Sequence, residues 1–339
     1  MTTRIALPTL VCALALTVAG CGAGAAERTA RRPAEPPVGA PQAPRAPAKA
    51  PGPDSACPDV TASLRPTGGL PAPTALPSGS TMAMFRQRGY IKAGIDQSSY
   101  PFGYVDPSDN ELDGFDIDLL REVAKAIFGD DRPGRIQFRV LRNEDRAIAV
   151  ARGDVDIVAE TMTINCERKQ SVEFSSVYFN AGQRMLVQKD GKAENADYQG
   201  GLPALPRGMR VCSVPGSTSL ALLRRDAPQV RPVEGDTWAD CLVKLQQGEV
   251  DTVTTDDTIL AGLQSQDPIF TRVVGPSITL EPYGMAIAKD RVDFVRFVNA
   301  VLERLRTNGR WKAMYADHLG TSLADTVPEP PAAVYRDNP

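Results

Sequence analysis

Apolar and polar positions along the middle of the chain switch between two periods. Tyr90–Ile95 reads as a strand, and Phe115–Phe128 repeats at helical spacing, with Leu119, Leu120, Val123, Ala124 and Ile127 on one face. Ile136–Leu141 returns to a strand pattern. A helix is then expected from Asp145, placed as its N-cap, to a glycine stop at Gly153, before a buried strand at Val155–Ala159. Strands alternating with helices in this way predict βαβ units and mainly parallel sheets.

The pattern also repeats. Gly153-Asp154-Val155-Asp156-Ile157-Val158 recurs 95 residues later as Gly248-Glu249-Val250-Asp251-Thr252-Val253. The second copy follows a helical stretch, Thr237–Gln247, in which Trp238, Cys241, Leu242 and Leu245 share a face. Helix, glycine and strand, repeated at the spacing of a domain rather than of a solenoid, predict two related lobes. Each strand runs on into polar residues, Glu160-Thr161-Met162-Thr163 in one lobe and Thr254-Thr255-Asp256-Asp257 in the other. Ligands in open α/β sheets bind beyond the carboxyl ends of the strands, so two such ends would face each other across a cleft.

The two ends of the chain differ from this middle. Arg4 followed by the apolar Ile5–Ala19 reads as an export signal over residues 1–20, too short to span a bilayer. It ends in Val18-Ala19-Gly20-Cys21, which resembles the lipobox of bacterial lipoproteins and implies lipidation at Cys21. Thirteen of the 29 prolines lie between Pro33 and Pro77, so residues 21–81 are expected to form an extended tether. Residues 320–339, with Pro328, Pro330 and Pro331, are expected to form a flexible tail. Once Cys12 leaves with the signal and Cys21 is lipidated, Cys57, Cys166, Cys212 and Cys241 remain. Two disulfides in an oxidising compartment, with three connectivities, follow from that count.

Composition excludes more than it selects. A net charge of −3 and a pI near 5.5 argue against nucleic acid. The single histidine, His318, leaves almost nothing for histidine catalysis or a metal site, and no cofactor motif is present.

Gly114-Phe115-Asp116-Ile117-Asp118-Leu119, with Val123, Ala124 and Ile127 behind it, resembles the signature of the bacterial extracellular solute-binding proteins for polar amino acids. Asp96 to Phe102, Thr161 to Arg168, Gly216-Ser217-Thr218-Ser219 and Asp256 agree in order, as do Asn308-Gly309-Arg310-Trp311 with Met314 and Tyr315. The resemblance spans about Met82 to Leu319. It implies a type II, two-lobed periplasmic-binding-protein-like fold. Residues 82–187 and 283–319 would form the large lobe and residues 188–280 the small one. The crossings would fall near Val187–Asp190 and Thr279–Pro282.

It also implies a site. An amino acid carries a carboxylate and an ammonium on one carbon, and the position matching Arg168 takes the first while that matching Asp256 takes the second. Thr161, Thr163 and Thr218 match hydrogen-bonding positions. Arg146 matches the arginine of glutamate- and aspartate-binding members, and Asp96 matches members that bind basic amino acids. Glutamate or aspartate is favoured, then asparagine or glutamine. Asp116 and Asp118 are read as serving the helix start. The favoured disulfides are Cys212–Cys241, a clasp within the small lobe, and Cys57–Cys166, which would pin the tether's end beside the ligand loop.

A monomeric lipoprotein that hands its ligand to an ABC permease, and no enzyme, is the reading these features favour. A sensor signalling to a membrane partner uses the same lobes. A dehydratase-like enzyme on this fold would need an acid or base, for which Glu160 is the obvious candidate.

Overall fold

The computed structural model describes residues 57, 59–320, 323 and 326–338. The export signal, Cys21 and the tether as far as residue 56 lie outside the described residues. Among the described residues no helix is long and apolar enough to cross a membrane.

Two five-stranded sheets organise the molecule. In the large lobe Ile136–Val140, Ile91–Ile95 and Ile157–Val158 run parallel, and Ala286–Ala288 and Val172–Phe174 continue the sheet antiparallel. In the small lobe Arg231–Glu234, Arg210–Ser213 and Thr252–Asp256 run parallel, followed by antiparallel Gln183–Gln188 and Thr271–Val274. The strand order is the same in both: second, first, third, then one antiparallel strand and an edge strand that runs with the first three.

The repeated hexapeptide does the same work in each lobe. Gly153 and Gly248 take positive φ (75° and 69°), which ends a helix without steric cost. The next two amides fold back on the helix: those of Asp154 and Val155 donate to Ala149, and those of Glu249 and Val250 donate to Lys244. Asp156 then accepts from the Lys92 amide at 2.7 Å, and Asp251 from the Arg210 amide at 2.7 Å. In each case the carboxylate fixes the start of the neighbouring strand. The echo is therefore structural.

The Phe115–Phe128 helix buries Phe115, Ile117, Leu119, Leu120, Val123 and Ile127 against the large-lobe sheet. Asp145 precedes the Arg146–Ala151 helix but makes no side-chain cap; its carboxylate pairs instead with Arg142, 3.0 Å away. Small-lobe packing is built on Leu186, Trp238, Leu242, Val253 and Leu260 on one side of the sheet and Met185, Val211 and Leu223 on the other.

Three boundaries differ from the sequence reading. The first crossing comes earlier than Val187, because Gln183–Gln188 already belongs to the small-lobe sheet. The hinge is the antiparallel pair Phe179–Ala181 and Glu281–Tyr283. The tether's end is docked from about Ala62: Leu64 is fully buried, and Asn299 donates to Ser63 and to the Leu64 carbonyl at 2.7 Å. The tail is not loose over the described residues. Tyr335–Arg336 pairs in parallel with Ser63–Leu64, Arg336 reaches Glu173, and Arg306 holds the Pro331 carbonyl at 3.0 Å. Proline excludes a segment from a central ladder but not from an extended edge strand. Both favoured disulfides are formed, with Cα–Cα distances of 5.9 Å for Cys57–Cys166 and 5.6 Å for Cys212–Cys241.

Candidate functional site

The carboxyl ends of the two third strands meet at the hinge around a narrow, partly open cleft with a free volume of about 10 Å³. From the large lobe it is lined by Asn143, Arg146, Thr161, Thr163 and Arg168, and from the small lobe by residues including Thr218, Trp238 and Asp256.

Arg168 sits on the short Cys166–Lys169 helix, whose N-cap Asn165 accepts from the Arg168 amide at 2.8 Å. Its guanidinium donates to the Thr163 carbonyl at 2.7 Å and, across the cleft, to the Gly216 carbonyl at 2.9 Å. Burial and the nearby Arg146 lower its pKa from the ordinary value. Arginine keeps its proton in proteins, so a buried guanidinium beside a second one favours an added anion. The N-terminus of the Thr218–Asp226 helix adds its partial positive charge on the same side.

Asp256 ends the Thr252–Asp256 strand. Its Oδ2 accepts from the Tyr283 hydroxyl at 2.6 Å, while its Oδ1 is buried with no partner. Burial, with Glu281 close by, pushes its pKa up to about 8. An unpartnered, crowded carboxylate of this kind favours an added cation. One lobe thus offers an anion site and the other a cation site.

Arg146 is almost fully buried. It donates to the Asn143 carbonyl at 2.9 Å and the Glu160 carbonyl at 2.8 Å, and its Nε lies 3.8 Å from the Glu160 carboxylate. Both Glu160 carboxylate oxygens are buried without a hydrogen bond. Burial raises the pKa of Glu160 well above the usual carboxylate range, against the pull of Arg146. Thr161 is held at φ 42°, an uncommon conformation for a β-branched residue, while its amide donates to Asp116 at 2.8 Å.

The description "Bacterial extracellular solute-binding proteins, family 3" matches residues 91–321. The chain belongs to this family. It is 34% identical over 235 residues to the ABC transporter glutamine-binding protein GlnH of Bacillus subtilis, covering 69% of this chain and 83% of that one. It is 33% identical over 242 residues to the glutamate-binding protein GluB of Corynebacterium glutamicum, covering 69% and 80%. Among solved structures, an ancestral arginine-binding protein bound to glutamine superposes with a TM-score of 0.62 at 31% identity, covering 69% and 99%. The relatives are named for binding, and the fold is the two-lobed one of periplasmic amino-acid-binding proteins.

In this solute-binding protein the cavity gathers Arg168, Asp256, Thr161, Thr163, Thr218 and Arg146. It leaves out Asp96, whose carboxylate is taken by Ser98 and Ser99 at 2.5–2.9 Å. Asp116 does more than start its helix: it is buried, anchors Thr161, and is pushed by burial up to about 7. His318 is partly buried, 3.3 Å from Asp118, and lines no part of the cavity.

Glu281 was missed from sequence. It is buried in the second hinge strand and accepts from Thr163 at 2.7 Å, Thr218 at 2.9 Å and Thr279 at 2.6 Å. Its carboxylate therefore joins the large lobe, the small lobe and the hinge. The one sequence signal was an acid set between Leu280 and Pro282-Tyr283 at an expected crossing. Trp238 was read as a core face residue, yet it also walls the cavity.

Proposed function

We propose that the protein captures a free polar amino acid in the interlobe cavity and presents it to an ABC permease. Arg168 takes the α-carboxylate and Asp256 the α-ammonium, so the zwitterion bridges the lobes and favours closure. The observation carrying this reading is the convergence of a crowded guanidinium from one lobe and a half-unpartnered carboxylate from the other on one narrow interlobe cleft.

The side-chain preference is revised in favour of the carboxamides. Arg146 already faces the Glu160 carboxylate. A guanidinium beside a carboxylate complements an amide, which accepts from one and donates to the other; an acidic side chain would place a second carboxylate beside the first. Glutamine is therefore placed first and glutamate second, in keeping with relatives named for each. Anchoring through a lipid on Cys21, ahead of a proline-rich spacer, belongs to the same proposal.

Calorimetric titration against the twenty amino acids tests the reading. Glutamine is expected to bind near micromolar, about −8 kcal/mol. Arg168→Ala is expected to lose about 3–5 kcal/mol, enough to abolish detectable binding. Undiminished binding by Arg168→Ala would refute the assignment.

A further inference from the structure

Glu160 stands out among the buried groups. Its carboxylate is shut from solvent, both oxygens lack a hydrogen bond, and Arg146 Nε at 3.8 Å is its paired cation. The charged and titratable groups around it are Arg146 from the Arg146–Ala151 helix, Arg168 from the Cys166–Lys169 helix, Asp116 from the Phe115–Phe128 helix, Asp96 from the loop after Ile91–Ile95, and Tyr178 beside the hinge.

We infer that Glu160 is a specificity-determining residue that stays ionised when a carboxamide ligand binds and takes up one proton when a carboxylate ligand binds. The inference rests on the reading that the cavity holds an amino acid with its side chain toward Arg146. With glutamine, the Glu160 carboxylate balances Arg146 from behind, while the ligand's amide meets the guanidinium that lines the cavity. With glutamate, the ligand's carboxylate competes for the same guanidinium. Two carboxylates on one buried cation cannot both remain ionised at low cost, so one proton enters from solvent. Burial already raises Glu160 well above the usual carboxylate range, which favours its taking that proton. The side chain acts through Arg146; it positions charge and performs no chemistry.

Linkage fixes the sign. A complex that binds one more proton weakens as pH rises through the window in which that proton is lost. The ratio of glutamate to glutamine affinity falls with rising pH, approaching about tenfold per pH unit when the uptake difference is a full proton. Asp256 meets the head group common to both ligands and cancels in the ratio, whereas Asp116, which also feels Arg146, is told apart from Glu160 by the Glu160→Gln variant.

The test is titration calorimetry of the chain with L-glutamine and with L-glutamate, each in two buffers of different ionisation enthalpy, from about pH 6 to about pH 8. The expected result is greater proton uptake with glutamate than with glutamine, approaching one proton, and a ratio that falls as pH rises. In Glu160→Gln the difference in uptake disappears and the ratio becomes independent of pH. If that variant does not fold, the proton count of the native chain decides alone. Equal proton counts for the two ligands in the native chain overturn the inference, as does a pH-dependent ratio that survives in Glu160→Gln. Native chain that binds neither ligand overturns the underlying reading and this inference with it, an outcome distinct from equal counts.

Discussion

Gly262 lies inside the Asp257–Gln266 helix of the small lobe, and its Cα faces the large lobe. A β-carbon there would lie 1.7 Å from the Tyr100 carbonyl oxygen and 2.7 Å from its carbon. Both are backbone atoms, so the closed arrangement cannot absorb the methyl by rotating a side chain. Forcing an extra methyl into a packed contact costs about 1–3 kcal/mol. If closure and binding are coupled, Gly262→Ala weakens amino-acid binding by about 5- to 150-fold. The same change has the opposite sign on the unliganded chain, because alanine is about 0.5–1 kcal/mol better than glycine in a helix interior. Calorimetry of the native chain and the variant, beside unliganded melting curves, reads both effects. Weaker binding with an equal or higher unliganded melting temperature is expected. Unchanged affinity in a folded variant would refute the coupling of closure to capture.

Three further outcomes follow from the geometry. Burial holds Asp256 near 8, and its ionised form is the one that pairs with an ammonium; glutamine binding at about pH 7 should release protons and strengthen toward about pH 8. Proton uptake, measured in two buffers, would contradict this, and Asp256→Asn should lose about 3–5 kcal/mol of binding. Cys212 and Cys241 are 29 residues apart, so serine at both should lower stability by about 3–4 kcal/mol in denaturant titrations. Truncation after Gly320 removes the strand over Ser63–Leu64 and the Arg336–Glu173 pair, and should lower stability by about 2 kcal/mol while leaving glutamine binding intact.

The parts of the molecule that were legible in sequence are those fixed by local periodicity. The Phe115–Phe128 helix, the two glycine stops and the strands after them are written in spacing, since apolar positions must recur on whichever face is buried. Arg168 and Asp256 were recoverable because each lies at a strand or loop end inside a long motif. Glu281 was not, because threonines from two distant segments, Thr163 and Thr218, give it its role. The first crossing was misplaced for a related reason: Phe179–Ala181 and Gln183–Gln188 are both strand-like, and only their partners assign them to hinge and lobe. Composition alone also misjudged the tail, since its docking depends on a single short ladder and a few arginines. Arg146 was located correctly on the cavity wall, but the carboxylate facing it changed what its charge implies.

Opposite charges held by different lobes are tested most directly by removing them from the ligand, one at a time. Calorimetric titration of the chain with glutamine, with N-acetylglutamine and with the α-amide of glutamine isolates the ammonium and the carboxylate while leaving the side chain intact. Micromolar binding of glutamine and no detectable binding of either analogue is the result this geometry requires. Either analogue binding as tightly as glutamine would show that Arg168 and Asp256 do not grip the head group.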